Sequence, residues 1–330
     1  MLFIDNNNTN PYFNLAMEEY LLKEFNEDIF ILWRNEPAII VGKNQNTISE
    51  INIDYVKENS IPVVRRLTGG GAVFHDLGNI NFTFISKDHE EDLNDFRKFT
   101  KPILEVLQEL SVEAEFSGRN DLTIKGKKFS GNAQCNYKNK VMHHGTLLFS
   151  SKITDLSSAL KVKNIKFEGK SVKSVTSRVT NISEHLLNPI TISEFKDKIM
   201  DHVSSNNGES NIYKFTVDDI SAINKLVRDK YNTWDWNFGS SPKYSFENII
   251  RFLGGTAEFH VDVKKGIIEN IKIYGDFFGK ENISQLEETL LGIKHNADDI
   301  REVLSKFDIN KCIHNITIDE LINGLLGTEK

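Results

Sequence analysis

Short apolar runs and helix-period apolar stripes follow one another along this chain without a regular strand–helix–strand alternation. That irregularity limits the fold more than any other feature. A doubly wound parallel sheet needs the alternation, whereas an α+β fold with a mixed, largely antiparallel sheet does not. Ile29–Trp33, Ala38–Val41 and residues 80–85 read as buried strands, the first two separated by Pro37. Pro11 suits a first helical turn, after which Phe13, Ala16, Met17, Tyr20 and Leu21 share one face. Phe96, Phe99, Ile103, Leu107 and Leu110 repeat at helical spacing ahead of a strand over 112–116. Residues 121–149 are strand-like, with turns at Gly126 and Asn139.

Thr191 and Glu194 have the spacing of a capping box, and Val217, Ile220, Ile223, Leu226 and Val227 mark a further helix. Periodicity breaks over residues 234–239, and Ser240, Ser241 and Pro242 look like a linker. Beyond it come three strand-like runs within 244–274, then helices near 281–292, 296–307 and 317–326. The last opens on a second capping box, Thr317 with Glu320. These readings place a domain boundary near residue 243, with a larger domain over 1–243 and a small α+β domain over 244–330. A chain of 330 residues is long enough to give each a core.

Charge excludes one class of partner. The net charge is −7 and the basic residues are dispersed, so the basic face that nonspecific nucleic-acid binding needs is missing. No apolar run approaches the length of a membrane span. Met1 to Asn6 carries neither a signal-peptide core nor an Arg-rich leader, and two cysteines, Cys135 and Cys312, cannot build a disulfide framework. A cytoplasmic protein is the expectation. The 22 phenylalanines, many in short strand-like runs, read as core.

Four stretches carry chemistry. Arg65, Arg66, Leu67, Thr68 lead into Gly69, Gly70, Gly71, then Ala72, Val73, Phe74, His75 and Asp76. Three glycines let a ligand approach the main chain, and successive free amides can form an anion-binding nest. Two arginines upstream offer positive charge. The same triplet also fits a plain turn between strands. In the second stretch, Asn120 and Asp121 enter a strand, and Gly126 precedes Lys127, Lys128, Phe129, Ser130 and Gly131. A carboxylate there can hold Mg²⁺. If Gly126 turns a hairpin, Lys128 reaches back toward it and can stabilise charge on a phosphate. Taken singly, each lysine is equally an ordinary surface residue. The third stretch holds His143, His144, Gly145 and Thr146. Adjacent residues of a strand face opposite ways, so the two histidines are a poor metal pair and a zinc site is rejected. The fourth, residues 169–181, interleaves small hydroxylated residues with Lys170, Lys173 and Arg178, and suits a phosphate-covering loop or a plain polar one.

The joint order of these stretches, with residues 234–239, closely resembles the bacterial type of lipoate–protein ligase, within the biotin/lipoate ligase superfamily. The similarity spans the larger region in order and continues to Gly254, Gly255 and residues 261–266. It implies a class II synthetase-like catalytic domain with a small C-terminal accessory domain. It also implies ATP, Mg²⁺ and lipoate as ligands, with lipoyl-AMP as intermediate. By the resemblance, Lys128 meets both the lipoate carboxylate and the adenylate phosphate, while Asn120 and Asp121 bind nucleotide and metal. Arg66 and Gly69, Gly70 and Gly71 form a lipoate-binding loop beside His75. Ala72, Val73 and Phe74 meet the adenosine end. Ser130, Gly131, His144, Gly145, Thr146 and Arg178 complete the ligand-binding set, Arg178 in a loop over the intermediate. Thr68 often corresponds to Ser in the family, and Lys43 stands where Arg is common.

The acceptors implied are lipoyl domains of 2-oxoacid dehydrogenase complexes and the glycine-cleavage H protein. Two rival readings exist. One is a lipoyl or octanoyl amidotransferase acting through a Cys135 thioester, which needs no ATP. The other is a non-catalytic protein that binds lipoyl domains and would not require Lys128 or Asp121.

Overall fold

Every residue of Ile29–Trp33 is buried, as a strand must be when packed layers cover both faces of its sheet. The computed structural model describes residues 1–45, 47–87, 95–160, 178–205, 211–238, 246–264, 267–295 and 297–327. They form two units. One comprises Met1–Ile40, Ile48–Arg65 and Val73–Asn237; the other comprises Val41–Thr47, Arg66–Ala72 and Phe238–Lys330. The linker read over 240–242 and the boundary near 243 lie outside the described residues, as do Lys170 and Lys173.

The first unit carries strands β1 (Leu2–Asp5), β2 (Ile29–Trp33), β3 (Ala38–Val41), β4 (Val63–Arg65), β5 (Val73–His75), β6 (Asn79–Lys87), β7 (Ala114–Ser117), β8 (Asp121–Ile124), β9 (Lys127–Tyr137), β10 (Lys140–Leu148) and β11 (Asn211–Ile212). Eight of them make one sheet in the order β11-β1-β2-β6-β10-β9-β8-β7, and β4-β3-β5 make a second. Only β1 pairs in parallel, with β2 and with β11; the other pairs of the large sheet are antiparallel. The mixed, largely antiparallel α+β reading therefore holds. Its helices are α1 (Pro11–Glu24), α2 (Thr47–Glu50), α3 (Ile53–Glu58), α4 (Phe96–Glu109), α5 (Ile153–Ala159), α6 (Ile192–Ser205), α7 (Val217–Leu226) and α8 (Trp234–Asn237).

Helix α1 starts where the sequence indicated: Asn10 accepts hydrogen bonds from the amides of Tyr12 and Phe13, and Pro11 fills the first turn. At α6 the capping box closes both ways, since the Thr191 hydroxyl accepts from Glu194 N at 3.2 Å and Glu194 accepts from Thr191 N at 2.7 Å. Residues 112–116 are displaced from the expected strand, because Ser111 takes φ 59° and Val112 N still bonds Leu107 O at 2.8 Å. The strand begins only at Ala114, although buried Val112 belongs to the core. Residues 234–237, read as a break in periodicity, form the single turn α8.

One face of the large sheet packs against α4 and α6. Phe30, Phe82, Phe129, Leu122, Ile124 and Leu147 meet Phe99, Ile103, Leu107, Phe195 and Ile199 there. His143 lies within this apolar layer, stacked on Phe82 and Phe99 with ring centroids 5.8 and 4.9 Å away. Gln134 Nε2 donates to its Nδ1 at 3.1 Å, and its Nε2 donates to Asn132 Oδ1 at 3.2 Å. Burial, helped by the neighbouring His144, pushes this imidazole well below its ordinary range and keeps it neutral.

The second unit contains the antiparallel meander β12 (Phe246–Phe252), β13 (Gly255–Lys264) and β14 (Ile267–Gly275). Helices α9 (Ile283–Leu290), α10 (Ala297–Leu304) and α11 (Ile318–Leu326) supply the other half of its core, in which Phe259 and Phe277 meet Leu286, Leu290, Ile300, Leu304, Leu321 and Leu325. The capping box at Thr317 and Glu320 opens α11. Among the described residues no helix is long and apolar enough to cross a membrane.

The state of His143 predicts an acid sensitivity. The unfolded chain binds a proton here below about pH 6.5, and the folded chain resists it. The contribution is therefore complete above that pH and is lost as pH falls, at up to ~1.4 kcal/mol per pH unit. Urea midpoints measured near neutrality and near pH 5.5 should converge in His143→Gln relative to the parent protein. An identical pH dependence of the two proteins would assign the acid sensitivity to another group.

Candidate functional site

Strands β8 and β9 are joined by a tight turn in which Lys125 and Gly126 both take positive φ, 50° and 74°. Beyond the turn the register slips by one: Leu122 faces Ser130, but Thr123 faces Lys128, so Phe129 is an extra residue. Regular alternation would put Phe129 opposite Thr123 and Lys128 on the other face. The bulge instead sends Phe129 into the apolar core and turns Lys128 toward Asp121. Lys128 Nζ lies 2.7 Å from Asp121 Oδ1, with both side chains a little over one third exposed. Gly131 faces Asp121, and a Cβ there would come within 2.9 Å of Lys128 Nζ.

The same face continues across the sheet. Gly131 N donates to the Thr146 hydroxyl at 3.3 Å, Thr146 pairs with Asn81, and Asn81 pairs with Trp33. A row from Asp121 to Trp33 thus crosses five strands. Two buried polar atoms on this face, Asn81 Nδ2 and Thr123 Oγ1, have no hydrogen-bond partner among the described residues. Such atoms can take the polar groups of a ligand or a water molecule. Along one flank, residues 178–180 run parallel to Lys128: Lys128 N donates to Arg178 O at 2.8 Å and Thr180 N to Lys128 O at 2.9 Å.

Asn120 reaches the same corner as a brace. Its Nδ2 donates to Asn132 O at 2.6 Å, while Asn132 Nδ2 returns bonds to Asn120 O and the Ser130 hydroxyl. Asn132, Ser130 and Gly145 belong to the face that carries His143, away from Lys128. The structure therefore assembles Asp121, Lys128, Gly131 and Thr146 on one face, with the main chain at Arg178 alongside, and sets Ser130 and Gly145 behind them.

His144 and His75, both singled out in the sequence, meet partners that reading the sequence did not single out. His144 Nδ1 donates to Glu18 at 2.9 Å, Glu18 accepts from the Thr83 hydroxyl at 2.6 Å, and Thr83 accepts from Trp33 Nε1 at 3.0 Å. His75, in β5, is served by a chain of buried amides. Asn6 donates to Asn14 at 2.7 Å, Asn14 to Asn35 at 2.8 Å, and Asn35 Nδ2 to His75 Nδ1 at 3.1 Å. An amide nitrogen can only donate, so Nδ1 accepts and the proton of neutral His75 sits on Nε2. The one clue in the sequence was polar Asn14 and Glu18 among the apolar positions of α1, both almost fully buried.

The arginines preceding the glycines hold main chain. In the first unit the Arg65 guanidinium donates to Trp236 O at 2.9 Å and Asn237 O at 3.1 Å, and Trp236 Nε1 donates to Arg65 O at 2.9 Å. In the second, Arg66 Nη2 donates to Gly69 O at 2.7 Å and Gly71 O at 2.8 Å, and its Nε to the Thr68 hydroxyl at 3.0 Å. Gly70 takes φ 94°, which a side chain disfavours. With those carbonyls held by Arg66, the amides of Gly69, Gly70 and Gly71 donate to no acceptor among the described residues. Successive amides of this kind can form an anion-binding nest. Ala72 follows the triplet; Val73, Phe74 and His75 form β5, paired with β3. Residues 169–177 lie outside the described residues.

Comparison with known proteins gives a consistent result. Residues 10–204 match the family model of the lipoyl protein ligase A/B catalytic domain, and 241–325 match that of the bacterial lipoate protein ligase C-terminus. The chain is 46% identical over 328 residues to lipoate-protein ligase LplJ of Bacillus subtilis, covering 98% of this chain and 99% of that one. It is 47% identical over 327 residues to lipoate–protein ligase 1 of Staphylococcus aureus, covering 98% and 99%. Among solved structures, P. falciparum LipL1 in complex with lipoate superposes with a TM-score of 0.80 at 30% identity, covering 99% of both chains. A lipoate-protein ligase A bound with ATP gives 0.61 at 26% identity, over 72% of this chain and 98% of that one.

The exposure of the Lys128–Asp121 pair predicts a small role in stability. A pair this open to water is worth under about 1 kcal/mol, so Lys128→Ala and Asp121→Asn should unfold in urea close to the parent midpoint. Asn132→Ala, which strips partners from buried groups, should cost about 1–3 kcal/mol. A Lys128→Ala variant as unstable as Asn132→Ala would make the pair a structural element.

Proposed function

The chain belongs to the lipoate–protein ligase family, and from that premise we infer that it joins free lipoate to a lysine of acceptor proteins at the expense of ATP, in two half-reactions. In the first, a lipoate carboxylate oxygen attacks the α-phosphorus of ATP, the bond to pyrophosphate breaks, and lipoyl-AMP forms. In the second, the acceptor's lysine amine attacks the acyl carbon of that mixed anhydride, AMP leaves, and an amide results. The enzyme supplies no nucleophile.

The observation that carries this reading is the bulge-directed Lys128 beside Asp121. The first step gathers negative charge from a carboxylate and a triphosphate, and a fixed ammonium stabilises it most as it develops. Asp121 holds that ammonium in position until substrate oxygens compete for it. The glycine-loop amides, their carbonyls tied by Arg66, suit a carboxylate or phosphate oxygen. No cluster of three or more His, Cys, Asp or Glu occurs among the described residues. Asp121 offers one carboxylate at this corner, which suits Mg²⁺, a cation that binds through few protein ligands, water and substrate phosphates. Asp121 would hold it, and it would supply neutralisation of phosphate charge.

We assign adenylation and transfer to the larger domain, 1–243, and an accessory role to 244–330. Acceptors are lipoyl domains of 2-oxoacid dehydrogenase complexes and the glycine-cleavage H protein, and Cys135 and Cys312, present as thiols rather than a disulfide, suit the reducing cytoplasm. The thioester alternative would place its thiolate near the charged pair. Cys135 is seven positions from Lys128 on β9, about 20 Å along the strand.

Purified protein given lipoate, ATP and Mg²⁺ without acceptor should release pyrophosphate and accumulate lipoyl-AMP. Lys128→Ala should lower the rate of that step by about 10²–10³. Acyl transfer from a carrier protein without ATP, and no pyrophosphate, would overturn the ligase reading.

A further inference from the structure

A run of three glycines has no side chains with which to hold its own shape, so a fixed conformation must be imposed by its neighbours. Arg66 holds the loop through the carbonyls of Gly69 and Gly71. Two further segments of the second unit close on it. Residues 41–45 approach so tightly that a Cβ on Gly42 would stand 2.0 Å from Gly70 O, and Lys43 N donates to Thr68 O at 2.8 Å. Residues 275–278 form the other wall. A Cβ on Gly69 would lie 2.3 Å from the Phe277 carbonyl oxygen, and one on Gly70 would lie 3.7 Å from the Phe278 ring.

That wall is firm. Phe277 is wholly buried in the core of the second unit, and Phe278 is 5% exposed. Phe278 O accepts from His314 N at 2.8 Å, Gly275 N donates to Asn44 O at 2.5 Å, and Asp276 Oδ1 accepts from Thr256 N at 2.5 Å. The aromatic face against Gly69 and Gly70 is therefore anchored through the strand end of β14 and the segment at 314. With the carbonyls of Gly69 and Gly71 held by Arg66 and the aromatic wall against the loop, its amides are the groups left to meet a ligand.

We propose that Phe278 is a positioning residue for substrate binding: its ring, together with Arg66, sets the conformation of the glycine loop, so that the loop's amides are arranged in advance for the lipoate carboxylate. The proposal rests on the ligase reading above. Binding made equally in ground and transition states appears in KM and leaves kcat unchanged. A residue that merely stabilises the fold lowers the active fraction, and so kcat, at constant KM.

The test is acceptor-free pyrophosphate release by the full-length chain, with lipoate varied at saturating ATP and Mg²⁺. Phe278→Ala should raise the KM for lipoate about tenfold with kcat within about threefold of the parent. Phe278→Tyr, which keeps the ring, should restore the parent KM. Gly69→Ala disturbs the same wall from the loop, because its Cβ would meet the Phe277 oxygen and then the edge of the Phe278 ring, and should give the same signature even if Phe278→Ala does not fold. A parent-like KM in Gly69→Ala, or a fall in kcat at constant KM in Phe278→Ala, would overturn the proposal. A parent enzyme that releases no pyrophosphate with lipoate would instead overturn the ligase reading.

Discussion

Lys128 reaches Asp121 because β9 carries one residue more than β8 can pair. The tight turn at Lys125 and Gly126 fixes where the hairpin starts, and the apolar core takes Phe129, so the surplus must be absorbed between them. A bulge absorbs it by changing which face the following side chain occupies. The charged pair is thus a consequence of packing on the opposite face: burying Phe129 turns Lys128 to the site. Little of the pair's value is stability, since both groups are open to water. On the ligase reading, its value lies in holding an ammonium at a defined place before substrate arrives.

The large sheet divides its labour by face. Behind the site, apolar side chains and a neutral imidazole pack against α4 and α6, and Asn132 ties His143 to the strand that carries Gly131. In front, Asp121, Thr146, Asn81 and Trp33 follow one line across antiparallel neighbours. Rigid β structure keeps such a row in register more firmly than loops would. Main chain at 178–180 extends it beside Lys128 with two further backbone hydrogen bonds.

Features with a local cause could be read in the sequence. Ile29–Trp33 and Ala38–Val41 came out residue for residue, because uniformly apolar runs bounded by turn residues have few other uses. The caps at Thr191 and Thr317 followed from a four-residue pattern, and the Gly126 turn predicted that Lys128 would approach Asp121. The bulge was not legible, since Lys-Phe-Ser-Gly reads equally as ordinary alternation, and its register is decided by the core. Nor were Asn35 beneath His75 or Glu18 against His144, because a buried polar residue is recognised by partners distant in sequence. The two arginines were expected to offer charge to an anion. Carbonyl groups of residues 69, 71, 236 and 237 receive them, a demand created only when the chain folds.

The glycine loop shows how far such demands can reach. Residues 66–72 are bounded in sequence by β4 and β5, yet they pack in one unit with 41–47 and the C-terminal region. A loop without side chains has no internal means of choosing among its many backbone states, so its shape is set by whatever encloses it. Its enclosure here is one arginine, a close main-chain neighbour at Gly42 and the wall at Phe277 and Phe278. Only the arginine is near in sequence. Part of that enclosure is therefore written about two hundred positions downstream of the loop itself, and on the proposal above a substitution near residue 278 acts on binding without touching a ligand.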